Sequence, residues 1–288
     1  MSSVGLPTVH EGIVEPAHHH GPSAFGDDLR RFVNLTVLLA TTDFKLRYFG
    51  SVLGYLWSLV RPLLFFGVLY VVFTQFFKAG AGVPHYAVYL LTAIMLWTFF
   101  AETTASSVQC LLAREGLLRK IRFPRLVIPL AVSLTALFNL CTNFIAVFVF
   151  ALAEGLSPQL SWLELPLLVL LLAVLAVGTG MLLSALFVRF RDIQPIWEVV
   201  AQLLFYGSAV IYTAAKYPLE YVRIMLCNPL TAIFTQMGHA FVSPSIHSAA
   251  VYIGGTVRLL IPLGITALVF VVGLWFFNRE APRIAERL

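Results

Sequence analysis

Apolar residues along this chain do not alternate with polar ones; they gather in blocks about as long as a bilayer is thick. Six such blocks cover residues 52–77, 86–109, 125–152, 163–188, 195–213 and 256–277. Each approaches or exceeds the roughly 20 residues that a helix needs to cross about 30 Å of hydrocarbon, so the pattern predicts six transmembrane helices. Two stretches break it. Phe32–Ala40 is too short to cross, is interrupted by Asn34 and Thr36, and is flanked by Arg30, Arg31, Lys45 and Arg47. That pattern predicts an amphipathic helix over 27–47 lying in the membrane interface, with Asp27 or Asp28 as its N-cap. Tyr217–Ser248 carries Pro218, Pro229, Pro244, Arg223 and His239 between short apolar pieces such as Thr231–Met237. It reads as short or re-entrant helices on the outer face before the last span. The expected fold is an all-α membrane protein: an interfacial helix, six spans and a cytoplasmic helix between the second and third.

Composition supports lipid as the solvent. Hydrophobic residues make up 59% of the 288 and charged residues 11%, with mean hydropathy +0.88; a soluble domain carries roughly 25% charged residues to wet its surface. The net charge of +5 is topological and implies no nucleic-acid partner. With both termini inside, the cytoplasmic segments hold Arg30, Arg31, Lys45, Arg47, Arg114, Arg119, Lys120, Arg122, Arg125, Arg189, Arg191, Arg279, Arg283 and Arg287, whereas Lys78, Lys216, Arg223 and Arg258 fall outside. This bias places the chain as a multi-pass protein of the bacterial plasma membrane with cytoplasmic termini. Residues 1–26 form a disordered cytoplasmic tail with no signal-peptide pattern, 27–47 the interfacial helix, 48–278 the permeation domain, and 279–288 a cytoplasmic C-terminal tail. His10, His18, His19 and His20 read as solvated tail residues, since a tail pre-organises no coordination geometry. No metal is expected. Cys110, Cys141 and Cys227 sit in or beside apolar runs with no CxxC pair and read as packing residues.

The chain lacks a GxxxxGK[ST] loop, so it has no phosphate cradle of that kind, and lacks HExxH and GxSxG. Charges inside the spans are Arg61, Glu102 and Glu198. Glu102 is either a mid-membrane ionisable group on a transport path or a helix–helix hydrogen-bonding group. Arg61 either snorkels to the interface or pairs with a neighbouring acid. The segment LLAREGLLRKIRFPRLVIP, from Leu111, forms a short amphipathic helix with Leu111, Leu112, Leu117 and Ile121 beside Arg114, Glu115, Arg119 and Lys120, ended by Pro124. It is either a docking element for a cytoplasmic partner or an interfacial helix on anionic lipid.

These stretches, taken in order, resemble a family. LRYFGSVLGYLWSLVRPL (46–63), WTFFAETT (97–104), LLRKIRFPRLVIPL (117–130), RFRDI (189–193), NPLTAIF (228–234) and the C-terminal EAPRIAERL are similar to type 2 ABC exporter permeases. The subgroup is the one that exports O-antigen, capsule and teichoic-acid polymers on lipid carriers. The chain departs from that pattern at Arg61, Ala209 and His239. The resemblance implies a homodimer of permeases clamped to a pair of separate ATPase subunits, which bind the ATP and Mg; this chain holds no cofactor and is a transport subunit, not an enzyme. It implies ATPase coupling by Glu115, Leu117, Arg119, Lys120, Arg122 and Pro124, and a cytoplasmic interface of Arg30, Arg31, Lys45, Arg47, Arg189, Arg191 and Asp192. A lipid-linked glycan would pass between the protomers. Candidate lining residues are Tyr55, Trp57, Arg61, Phe65, Phe66, Glu102, Phe205 and Tyr206, with Tyr70 and Tyr212 nearby; rings offer sugar C–H faces a flat surface, or serve as lipid-facing belts. Competing expectations are an ABC permease for a drug or small lipid, a membrane-embedded enzyme of glycan assembly, and a secondary transporter. Arg189, Arg191 and Asp192 are too few polar groups for the enzyme's metal-assisted chemistry, and no internal repeat marks the transporter.

Overall fold

The computed structural model describes residues 29–48, 52–78, 80–116 and 124–287, with the side chains of 48, 52–55, 215 and 281–287 left out. The tail 1–26, the caps Asp27 and Asp28, Gly50 and most of the cytoplasmic helix (Leu117, Arg119, Lys120 and Arg122) lie outside the described residues. Ten α-helices are found among those described: α1 Leu29–Tyr48, α2 Val52–Val71, α3 Tyr86–Val108, α4 Val127–Ala153, α5 Glu164–Arg189, α6 Ile193–Gly207, α7 Leu219–Met225, α8 Pro229–Met237, α9 Ala249–Ile253 and α10 Leu260–Arg287.

Five segments among the described residues are long and apolar enough to cross a membrane: Leu56–Phe76, Tyr86–Val108, Val127–Ala153, Leu160–Arg189 and Thr256–Glu280. They coincide with five of the six predicted spans. The remaining one, expected at 195–213, is the 15-residue α6, about 22 Å at about 1.5 Å per residue. It ends at Gly207; Ser208 is extended at φ −103°, ψ 156°. By helix length alone five spans stand, and the sixth apolar block is a short helix continued by a non-helical segment.

The second span, α3, is the hub. Val88, Leu90, Leu91, Ala93, Ile94, Met95 and Leu96 are fully buried around its whole circumference, as expected for a helix that is apolar on every face. It packs against α2, α4, α5 and α6. By contrast α2 and α6 lie at the periphery, with one apolar face uncovered on each. Between α5 and α10 the packing depends on glycine. A Cβ on Gly273 would sit 2.2 Å from the Gly178 carbonyl oxygen, and one on Gly178 would sit 2.6 Å from the Phe270 Cα; small residues let membrane helices approach backbone to backbone. Gly180 plays the same part against Ser107 of α3, 2.6 Å from its Oγ.

A helix does form where the interfacial one was expected, as α1, and it is packed against the protein. Phe32, Thr36 and Ala40, spaced four apart, are its buried stripe, and α1 packs along α4, where Thr135 Oγ1 donates to the Ala40 carbonyl at 3.3 Å. The region 217–248 contains no long helix. It forms α7, α8 and a wide helical turn at Gly238–Val242. The start of α8 follows from its residues: Pro229 occupies the first turn, and the Asn228 side chain caps the Leu230 N–H at 3.0 Å.

Gly273→Leu is expected to destabilise the fold by about 1–3 kcal/mol or more through forced separation of α5 and α10. Gly264→Leu, on the same helix with no atom within 4 Å of its Cβ position, should be tolerated. Thermal unfolding of the detergent-purified variants compares the two, and equal midpoints would contradict the close approach.

Candidate functional site

Hydrogen bonds sort the molecule into two polar ends. At one end Arg47 Nη1 of α1 donates to Glu102 Oε1 of α3. Asn139 Nδ2 of α4 donates to the same oxygen at 2.8 Å. Glu102 therefore ties three helices together, one and a half turns before α3 ends. It occupies the helix–helix role, and Asn139, buried at 8% exposure, is a participant that sequence reading missed. Its only sequence signal was an amide inside an apolar run. One turn before Arg47 on α1, Asp43 Oδ2 accepts from Arg114 Nη2, which joins the start of the loop after α3 to α1. Gln109 Nε2 donates to Gln194 Oε1 and Trp197 Nε1 to Thr104 Oγ1 at 3.2 Å, which fasten the start of α6 to the end of α3.

The predicted coupling helix begins there. Leu111 is buried and Leu112 half-buried, and Leu112–Arg114 is a tight helical turn leading to Glu115. Pro124 precedes α4 and accepts from the Val127 N–H at 3.1 Å. Arg125 is desolvated, which lowers its pKa from the ordinary guanidinium value. Leu111, Cys110, Leu126, Val127 and Ile128 share one apolar cluster with Phe32 of α1 and Phe277 of α10. The loop's two roots are thus set in the same core. Arg189, Arg191 and Asp192 form the exposed turn between α5 and α6, with Arg189 over the Phe190 ring at 5.2 Å and Arg191 over Phe187 at 5.4 Å. Arg30, Arg31, Lys45 and Arg47 lie on α1 at this same end.

The aromatic candidates divide. Trp57 (57% exposed), Arg61, Leu64, Phe65 and Val68 form the uncovered face of α2; Ile196, Val199, Leu203 and Tyr206 (57% exposed) form that of α6. Phe65 joins the two helices through Phe205, ring centroids 5.8 Å apart. Phe205 itself is buried, against Trp97 at 5.3 Å, and Trp97 continues to Phe100 and Trp197. Phe66 turns inward, between Tyr70 and Phe150. Glu102 is held in its network and Tyr55 lies outside the described side chains. Arg61 has no carboxylate within ion-pair reach among the described residues.

At the other end, the break after α6 is held by α3. Tyr89 donates its hydroxyl to the Ala209 carbonyl at 2.5 Å and Tyr86 to the Ile211 carbonyl at 2.6 Å. Asn228 Nδ2 donates to the buried Ser208 Oγ at 3.0 Å. Carbonyls freed by a broken helix are unaffordable in hydrocarbon unless the protein itself supplies donors. Neither tyrosine was singled out from sequence, because both lie in an apolar run where a ring reads as packing.

Of the cysteines, Cys110 is buried, Cys227 half-buried and Cys141 exposed on α4. Burial pushes the Cys110 thiol up to about 12, against a smaller opposing effect of Arg114. Cys141 therefore departs from the packing role expected of it.

With this geometry in place, comparison with known proteins gives the class. Residues 34–242 match the ABC-2 type transporter family. The O-antigen export system permease protein RfbA of Klebsiella pneumoniae is 31% identical over 258 residues, covering 88% of this chain and 95% of that one. The protein of the same name from Myxococcus xanthus is 27% identical over 91% and 98% of the two chains. The polysialic acid transport protein KpsM of Escherichia coli is 22% identical over 66% and 74%. The chain belongs to the ABC-2 type transporter family, and it is a multi-pass membrane transport component, as its resemblance implied.

Two outcomes test the site. Glu102→Leu removes the acceptor shared by Arg47 and Asn139 and should cost about 1–3 kcal/mol, read as a lowered unfolding midpoint. A maleimide acts on the thiolate, so a thiol with its pKa raised to about 12 should be inert at pH 7.5. Mass spectrometry should find Cys227 modified before Cys110; the reverse order would contradict the burial of Cys110.

Proposed function

We propose that this chain is the permease of an ABC exporter that moves a lipid-linked polysaccharide or a teichoic-acid-type polymer across the bacterial plasma membrane. The observation that carries this reading is the extent of similarity to O-antigen export permeases, which spans nearly the whole of both chains. A drug or small-lipid permease would share the fold, but the relatives' roles in O-antigen export and polysialic acid transport favour a sugar polymer.

Two copies form the working unit. The uncovered faces of α2 and α6 are the surfaces a second copy would meet, and their rings, with Trp57, Phe65 and Tyr206 foremost, offer a path to sugar C–H faces. In the plane of the membrane such faces could equally meet lipid, but both helices flank the same hub, α3, so pairing two hubs encloses a cleft between them. α6 and the non-helical turn at 208–213 together make a sixth crossing: about 22 Å of helix leaves roughly 8 Å of a hydrocarbon layer about 30 Å thick for the six residues that follow. Both termini and the cationic end face the cytoplasm.

The work comes from a separate ATPase pair, which holds ATP and Mg. The loop 111–124 docks on it, with Glu115, Arg119 and Lys120 setting orientation by charge and Leu117 filling a groove. Because its roots share a core with α1 and α10, a push on the loop is passed to α4 beyond Pro124 and, through Arg114–Asp43, to α1.

Deleting the gene should remove the surface polymer and trap its lipid-linked form inside, which lipid extraction and immunoblotting would detect. The purified chain alone should show only background ATP hydrolysis. Reversing charge at Glu115 and Arg119 together should weaken the complex at least tenfold or uncouple hydrolysis from export, while membrane insertion stays intact. Wild-type export and complex stability in that double variant would remove the coupling role from this loop.

A further inference from the structure

At the end opposite the coupling loop a cavity of about 330 Å³ opens between the end of α2, the start of α3 and the end of α4. Its lining includes Tyr70, Thr74, Lys78, His85, Tyr86 and Glu154. We propose that this cavity is a saccharide subsite at the exit, taking one pyranose unit of the exported glycan; the proposal rests on the polysaccharide reading above.

The chemistry is that of a neutral polyol more than of an ion. Tyr70, 37% exposed, supplies one wall, its ring near-parallel to that of Phe66 at 5.6 Å and 29°. Beneath it the buried Tyr86 lies near-parallel at 6.5 Å and 26°. A flat ring suits the apolar C–H face of a sugar. Around the rim stand an ammonium, an imidazole, a hydroxyl and a carboxylate, which can donate to and accept from ring hydroxyls in several directions. Thr74 already donates its hydroxyl to the Tyr70 carbonyl at 2.5 Å, so it faces the cavity as an acceptor. His85 Nδ1 and Glu154 Oε2 are 4.0 Å apart, too far for a direct hydrogen bond, which leaves both with capacity toward a ligand. Lys78 and Glu154 offset each other, so the cavity has no net preference for an anion. Its volume lies at the low end of small-ligand sites, about 300–1,000 Å³.

The backbone is built to hold these groups. Among the described residues, Lys78 (φ 49°) and His85 (φ 46°) are the non-glycine positions with positive φ, and both line this cavity. Left-handed backbone at such residues persists only where the surroundings enforce it, and it gathers at ligand sites. The enforcement is visible: Lys216 Nζ donates to the Lys78 carbonyl at 2.6 Å, and the turn closes over the Tyr86 ring at Gly80, where a Cβ would lie 2.8 Å from Cδ1. The location also fits an exit. Tyr86 reaches from the cavity floor to the Ile211 carbonyl, and Lys216 follows the same segment, so the cavity is fastened to the chain that continues α6.

The test uses the permease–ATPase complex in lipid nanodiscs and, as probe, short oligosaccharides released by mild acid from the host's own lipid-linked glycan. Saturation-transfer NMR and calorimetry measure binding; Glu154→Gln is expected to weaken it about tenfold, as loss of one charge-assisted hydrogen bond would, Tyr70→Leu by a similar factor through loss of the aromatic wall, and both to slow surface display of the glycan. Unfolding midpoints report whether each variant is intact, and Thr74→Val, expected to weaken binding several-fold, replaces either variant that is not. If the wild-type complex exports glycan but the released oligosaccharide does not bind, or binds all variants equally, the subsite is refuted and the polysaccharide reading stands. If the wild type neither exports nor binds glycan, both fall.

Discussion

Inside hydrocarbon a carbonyl that leaves a helix has no water to accept from, and this constraint organises the end of the molecule where α6 stops. α6 stops at Gly207, and the chain continues through 208–213 as a non-helical turn that opens on the extended Ser208. That break stands because α3 presents Tyr86 and Tyr89 hydroxyls to the freed carbonyls of Ile211 and Ala209, while Asn228 reaches Ser208. The hub helix must therefore start where it does and point those two rings at α6. The burial of both tyrosines at the start of α3 and the position of the segment after α6 follow from that requirement.

A second consequence is asymmetry. A helix in lipid gains nothing by hiding apolar surface from water, so association rests on close packing and on polar groups that find partners. α3, α5 and α10 satisfy this within one chain, through the Gly178–Gly273 contact and through Gly180 against Ser107. α2 and α6 do not. They contact the hub on one side and leave rings such as Trp57 and Tyr206 outward. The two ends differ as well: one is knitted by Arg47–Glu102–Asn139 and Arg114–Asp43, and the other by backbone acceptors and tyrosines.

Much was legible from the chain alone, because bilayer thickness imposes a length on every spanning helix. Residues 52–77, 86–109, 125–152, 163–188 and 256–277 were readable as spans, α1 as amphipathic, and 217–248 as lacking a long helix. The ordered motifs from Leu46 to the C-terminus pointed to the permease family. What sequence could not decide was which faces meet. Hydropathy rates the 195–213 block as a span, and only the fold shows that its helix ends at Gly207, since the stop depends on distant hydroxyls. Glu102 offered two roles, and the choice was made by Arg47, 55 residues before it, and Asn139, 37 after it. Phe65 and Phe66 are neighbours of like hydropathy, yet a rotation of about 100° per residue sends one to the open face and the other into the packing. Periodicity records a helix and its length; the partner of each face is a property of three dimensions.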